Sequence, residues 1–287
     1  MQHAVAITAY TDFDALWNLV TALDPRCYRT FVHVDAKSPI GGEQIAKLTA
    51  HGCRVVRKHA VPWGGYAHLL AVLDLLEMAL ERDDVEYVHV VSGQDYPAAS
   101  FDEMKRACDG RIYMTVTPLE NASEQVRTRY ETYNVFWFLQ AHGWLYGRLD
   151  AMSSYLQRVL RIRRRGLGVH RELYKGMIWT SLPAEVCRFV LGCPEKARWL
   201  RALRTTYVPE ELFFQTLIMN SRYRDSVVRT NLRYTDWSFR NGSCPAVLDV
   251  SDLEPIVRSR SLFVRKMDSR ISRELMLTLR ARIGSGA

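Results

Sequence analysis

The sequence predicts an α/β fold in which a mainly parallel central sheet is flanked by helices, and three observations lead there. Short β-rich runs alternate with longer helical ones through the N-terminal half. Two of those runs end in polar turns that carry a carboxylate, which places acids beyond the carboxyl ends of strands, where open α/β sheets collect their ligands. The 287 residues, 48% of them hydrophobic, can bury a large core in one big domain or two closely fused ones.

Residues 4–9 are apolar and read as the first strand. Residues 12–23 read as a helix whose opening Asp12-Phe13-Asp14 offers carboxylates to exposed amide groups. The 30–34 run is a strand ending at Asp35, 44–51 is a helix, and 54–57 is a short strand. Residues 68–82 form a long helix with Leu69, Leu70, Leu73, Leu76 and Leu80 at helical spacing. The 87–91 strand runs into Ser92-Gly93-Gln94-Asp95-Tyr96-Pro97 and stops at the proline, and 111–116 is the next strand. Beyond it the pattern becomes irregular and aromatic through Tyr130, Tyr133, Phe136, Trp137, Phe138, Trp144 and Tyr146, which looks like an aromatic-rich inserted region. Pro209-Glu210-Glu211 reads as a helix start, with acids favoured by the macrodipole and Leu212, Phe213, Phe214 and Leu217 packing inward.

The formal charge of +8 suits nucleic acid, anionic lipid or an acidic substrate, and the chain carries no nucleic-acid motif. Cys27, Cys53, Cys108, Cys187, Cys193 and Cys244 are dispersed without the close pairing of a zinc ligand set, which reads as reduced structural thiols. Every apolar run falls short of the roughly 18 to 20 residues that cross a bilayer. The opening Met1-Gln2-His3-Ala4-Val5-Ala6-Ile7 is too short for a signal peptide. The basic run 158–165 is read either as a solvated helix face or as a patch for an anionic membrane or an acidic glycan.

Four motifs in chain order suggest more than any one of them alone. They are Phe31-Val32-His33-Val34-Asp35-Ala36-Lys37-Ser38, Val90-Val91-Ser92-Gly93-Gln94-Asp95-Tyr96-Pro97, Val208-Pro209-Glu210-Glu211-Leu212-Phe213-Phe214 and Leu262-Phe263-Val264-Arg265-Lys266. With Val61-Pro62-Trp63-Gly64-Gly65-Tyr66, Lys175-Gly176-Met177-Ile178-Trp179 and Asn231-Leu232-Arg233-Tyr234-Thr235-Asp236-Trp237, they resemble the Core-2/I-branching glycosyltransferases, a family that includes the peptide O-xylosyltransferases. The resemblance covers nearly the whole chain. It implies a GT-A-like nucleotide-sugar-binding fold, with 1–116 as the nucleotide-binding half and 117–287 carrying the acceptor side, the catalytic acid and a basic phosphate-binding segment.

It further implies an inverting transfer from a UDP-sugar, N-acetylglucosamine first and xylose second, to a glycan or lipid-linked glycan. The alternative is a nucleotide- or carbohydrate-binding protein that keeps the fold without catalysis. Family members in animal cells carry a membrane anchor and stem, so their lack here suggests a bacterial, cytoplasmic form, at most peripheral to the inner face of the membrane and engaged in surface polysaccharide synthesis.

Registering the family's Pro-acid-Glu context places the base on Glu211. At the position of the divalent-metal motif, Asp-x-Asp, the chain has Ser92-Gly93-Gln94-Asp95 with one carboxylate, and the one literal Asp-x-Asp, Asp12-Phe13-Asp14, opens a helix where it reads first as a cap and only second as a metal site, so neither metal nor other cofactor is expected. The diphosphate is assigned instead to Lys266, with Arg240, Arg258 and Arg265 as candidate partners. Asp35 matches an acid associated with the uridine, although a turn cap is its bland reading. Glu120, Arg127, Arg129 and Trp237 correspond to acceptor contacts, and Phe239 stands where a tyrosine is usual.

Overall fold

The computed structural model describes residues 2–134, 144–162, 164 and 172–284, with nothing placed for the side chains of 145 and 146. Phe136, Trp137, Phe138, Arg163, Arg165 and the Tyr146 side chain, all part of the expected aromatic and basic insertion, lie outside the described residues.

The chain opens with β1 (Gln2–Ala9), α1 (Phe13–Ala22), β2 (Tyr28–Val34), α2 (Gly42–Ala50), β3 (Arg54–Val56), α3 (Tyr66–Ala79) and β4 (Val85–Ser92). These elements fall where the local patterns place them. Asp12 caps α1 by accepting the Ala15 amide at 3.1 Å, and its other oxygen accepts the Ser269 amide at 2.9 Å. That occupies one acid of the literal Asp12-Phe13-Asp14 in holding the C-terminal segment onto the first helix.

β1 pairs in parallel with both β2 and β4. Both faces of these strands are buried: Ala4, Ala6, Val88 and Val90 point into one core, and Val5, Ile7, Tyr87 and Val91 into the other. This explains why the strands read as continuous apolar runs rather than alternating ones. Because β2 and β3 lie on one side of β1 and β4 on the other, the strand order reverses at the β1/β4 boundary. The crevice at such a boundary, outside the strand ends, is where doubly wound sheets bind ligands.

The second half of the chain completes the same sheet. After β5 (Asp95–Pro97) and α4 (Phe101–Ala107) come β6 (Ile112–Tyr113), β7 (Thr117–Pro118), α5 (Glu124–Glu131), β8 (Tyr174–Lys175), β9 (Ser181–Pro183) and β10 (Val227–Val228). The seven-stranded order is β10-β6-β9-β4-β1-β2-β3, with β9 antiparallel to both of its neighbours. The strand expected over 111–116 is shorter than its apolar pattern. Thr115 leaves the ladder because its hydroxyl accepts the Met177 amide at 2.7 Å, and its carbonyl packs so closely on Gly176 that a Cβ there would lie 1.8 Å away.

A smaller sheet of β11 (Arg233–Thr235), β12 (Phe263–Arg265) and β5 brings the C-terminal segment to the end of β4. β11 and β12 run parallel, while β12 and β5 are antiparallel with Arg265 opposite Asp95. Its own core of Tyr96, Leu248, Ile256, Val264 and Leu275 fixes that placement. No helix among the described residues is long and apolar enough to cross a membrane.

Candidate active site

The carboxyl ends of β4 and β2 are each tied by backbone to that of β1: the Gly93 amide donates to Thr8 at 2.9 Å, and the Asp35 amide to Ala9 at 2.8 Å. Gly93 suits this contact, since a side chain there would press on Ala9 at 3.2 Å. Asp35 is buried, and one of its oxygens accepts the Lys37 amide at 2.8 Å and the Val61 amide at 3.2 Å. It therefore performs the turn-capping role directly and fixes the start of the 61–66 loop beside the strand end.

That loop in turn meets the acid cluster. The Val208 amide donates to Gly64 at 2.7 Å, and Trp63, mostly exposed, packs edge-on to Tyr207 with ring centroids 5.5 Å apart. Gly64 has φ +69°, and a Cβ there would come within 2.6 Å of the Tyr207 ring, so glycine is required twice over. The next residues, Pro209 onward, start the Glu210–Met219 helix, which is buried along most of its length.

Glu210 and Glu211 then diverge. Glu210 is 4% exposed, with Oε1 2.8 Å from His68 Nδ1, while the second His68 nitrogen lies 3.4 Å from the Thr8 hydroxyl at the end of β1. Glu211 is pushed up from 4.5 to about 7 by burial and, second, by the negative charge of Glu210. Lys175 and Arg129 oppose the shift, as does a hydrogen bond from the Tyr130 phenol. A carboxylate in this state is a stronger base than a solvated one and is still about half ionised near neutral pH. The Glu211 carbonyl accepts the Gly176 amide at 2.9 Å, anchoring the helix start on the 175–177 segment.

Asp95 is 1% exposed; one oxygen accepts the Ser92 amide at 2.6 Å and the other lies 3.6 Å from Arg265 Nε. The Arg265 guanidinium sits over the Trp179 ring at 4.1 Å. Behind them Arg233, unforeseen in the sequence as more than a motif letter, is buried and donates to the carbonyls of Val90 and Thr180 and to the Ser181 hydroxyl. Burial lowers it to about 10, and the Asp95 charge partly restores it.

Of the basic candidates, Lys266 donates to the Ser243 hydroxyl at 3.4 Å, and Ser243 is bridged by backbone to Arg240. Arg240 itself is held by carboxylates, at 2.7 Å from Asp249, 2.5 Å from Asp252 and 3.6 Å from Asp236. Arg258 stands apart: it is exposed on the Leu253–Ser259 helix and pairs with Glu254. On the other side Arg129 lies over the Tyr207 ring at 5.5 Å, beside Glu211, while Arg127 reaches the Glu120 carbonyl at 3.5 Å and Glu120 is exposed. Trp237 and Phe239 present bare aromatic faces, 58% and 78% exposed.

The sequence offered no local signal for His68, Lys175 or Tyr130 as neighbours of the acids; each arrives from a different element. A metal could be held among the described residues by His3, His89 and Cys108, all buried, with ligand atoms within 4.8 Å of one another. The two imidazoles are 2.9 Å apart and bonded to each other, and His89 continues to Ser181 at 2.8 Å. His3 is five residues before Thr8 on β1, about 16 Å along an extended strand, so this cluster is at the opposite end of the sheet from Glu211.

A family model, Core-2/I-Branching enzyme, matches residues 4–257. The chain is 24% identical over 234 residues to "Xylosyltransferase sqv-6" of Caenorhabditis elegans, covering 79% of this chain and 27% of that protein. It is 23% identical over 290 residues to the N-acetyllactosaminide beta-1,6-N-acetylglucosaminyl-transferase of Mus musculus, covering 92% of this chain and 68% of that one. The chain thus spans about a quarter of the length of the xylosyltransferases it matches. Among solved structures it is similar to mouse xyloside xylosyltransferase 1, at 8% identity and a TM-score of 0.38 over 92% of this chain and 97% of that one. It is also similar to S. aureus TarS 1-349 in complex with UDP, at 17% identity and a TM-score of 0.29 over 37% and 31%.

Proposed function

The chain belongs to the Core-2/I-branching enzyme family, and from that premise we propose that it is an inverting glycosyltransferase that moves a sugar from a UDP-sugar to a glycan hydroxyl with formation of a β linkage. N-acetylglucosamine is the first candidate and xylose the second, after the activities named for the relatives. A surface polysaccharide under construction in a bacterium is the acceptor setting proposed.

The observation that carries the reading is Glu211, an acid raised to about 7 at a helix start beside Arg129, Lys175 and Tyr130. In the proposed step Glu211 takes the proton of the acceptor hydroxyl while that oxygen attacks the anomeric carbon and the sugar–phosphate bond breaks on the opposite side, its electron pair leaving with UDP. Lys266 stabilises the negative charge gathering on the diphosphate, with Arg240 as the neighbour bridged to the same Ser243 turn. Asp35 and Asp95 shape the nucleotide side from the two strand ends. Arg129 and the exposed Trp237 face are assigned to the acceptor, with Glu120 and Arg127 further along the same segment. Arg258 is assigned no part, because it is exposed on the Leu253–Ser259 helix and its contact is to Glu254 of the same helix rather than to the Ser243 turn.

The protein is proposed to work without a divalent metal, since Asp95 is the single acid at the motif position and it is engaged by Ser92 and Arg265. The test is UDP release from UDP-N-acetylglucosamine and UDP-xylose with and without EDTA. Chelator-resistant release that disappears in Glu211→Gln supports the proposal. Strict dependence on manganese or magnesium overturns its metal-free part, and unchanged release by Glu211→Gln overturns the assignment of the base.

A further inference from the structure

The Trp144–Val159 helix is amphipathic in the wrong sense for a helix packed on a core. Ser153 and Gln157, one turn apart, form the face turned to the protein: Gln157 is 8% exposed, accepts the Tyr133 amide at 2.8 Å and donates to the Tyr133 carbonyl at 2.9 Å. Met152, Tyr155, Leu156 and Val159, separated by three, one and three residues, occupy one continuous arc away from that face, and Trp144 points the same way about two turns earlier. Each is about half exposed or more, and Leu160 beyond the helix end continues the strip at 65%. Surface helices ordinarily bury such a stripe. An apolar patch left open among the described residues marks an interaction surface rather than scattered surface residues.

The charges bordering the arc select the partner. Arg148 lies within it, its guanidinium 5.4 Å from the Trp144 ring centroid, and Arg158 and Arg161 are exposed at its C-terminal end. Among the described residues Arg158 has a loose 3.9 Å pairing with Glu124. The helix's acid, Asp150, is turned partly inward. A second copy docking through the same face would bury the Arg148 of both copies in the contact and desolvate them. An anionic headgroup layer, by contrast, accepts the arginines at the depth where tryptophan and tyrosine rings also settle, and takes the Met, Leu and Val side chains below it. The excess of positive charge, +8 over the chain, acts in the same direction.

We propose that this helix lies in the surface of an anionic phospholipid bilayer, apolar arc inward and Gln157 face toward the protein. The site is distinct from Glu211 and does not depend on the transfer reaction. Vesicle flotation tests it, using phosphatidylcholine alone and phosphatidylcholine mixed with phosphatidylglycerol, on wild type, on Met152→Glu/Leu156→Glu and on Arg148→Gln/Arg158→Gln/Arg161→Gln. Wild type is expected to float with the anionic vesicles. The apolar-face variant should partition about tenfold less or worse while unfolding at the wild-type temperature, because the replaced side chains are already exposed. The arginine variant should lose its preference for the anionic mixture. Failure of wild type to float, or equal flotation of the apolar-face variant, overturns the proposal. So does a dimer seen by light scattering without lipid that the apolar-face variant converts to monomer, since the arc would then be covered by a second copy.

Discussion

Glu210 and Glu211 are adjacent in sequence but differ in their partners: Glu210 is bound to His68 at 2.8 Å, and its charge is the second cause, after burial, that lifts its neighbour to about 7. One acid thus tunes the other. His68 connects the pair to Thr8 at the end of β1, so a hydrogen-bonded chain runs from the strand-end edge of the sheet to the acid cluster.

Glu211→Gln keeps shape and removes basicity, and turnover is expected to fall on the order of 100-fold or more with UDP affinity unchanged. Steady-state kinetics and UDP calorimetry check this together. If Glu210→Gln abolishes turnover while Glu211→Gln is tolerated, the base is Glu210.

The same substitution is expected to stabilise the protein at neutral pH. The folded-state value of Glu211 is raised, so its contribution to stability is fully present below pH 4.5 and is lost as pH rises toward 7. Gln carries no such loss. The gain in unfolding free energy of Glu211→Gln over wild type should therefore grow between pH 4.5 and 7, reaching about 2 to 3 kcal/mol. Denaturant titrations at three pH values measure it, and a difference that does not change with pH refutes the buried-acid account.

The acid limb of the kcat/KM profile should follow Glu211 and lie near pH 7. Glu210→Gln removes a cause that raises Glu211, so the limb should move to lower pH while retaining its shape. A limb that stays in place means the two carboxylates do not sense each other.

Lys266→Ala is expected to weaken UDP binding by about 1.5 to 3 kcal/mol, the scale of a hydrogen bond to a charged group. Arg258→Ala serves as the control and should bind as wild type, because Arg258 is exposed on the Leu253–Ser259 helix with its contact on Glu254 of that helix. Equal losses in both variants would show a diffuse effect of net charge rather than a placed cation.

Gly176→Ala should lower the unfolding temperature sharply, since the new methyl would lie 1.8 Å from the Thr115 carbonyl oxygen and 3.0 Å from the Gln215 side chain. Gly110→Ala, with open space around it but φ +88°, separates backbone strain from collision and should cost less. Differential scanning calorimetry of the two variants decides between them.

What the sequence determined by itself was local. The apolar runs of β1, β2 and β4, the Asp12 cap and the Pro209-Glu210-Glu211 helix start follow from side-chain period and capping chemistry, which act over a few residues. The turns holding Asp35 and Asp95 at the strand ends followed from the alternation of strands and helices. Only the tertiary structure decided what these acids meet. Arg265 comes opposite Asp95 because β12 adds to β5 across some 170 residues of chain, and His68 reaches Glu210 across 142. Ser181 enters the middle of the sheet as an antiparallel strand only three residues long, too short to show a period. The wrong-sided face of the Trp144–Val159 helix was likewise invisible as such, since its apolar spacing is that of any buried helix. Periodicity states which residues share a face; which surface that face meets is set by packing among distant segments, and no window of sequence contains that information.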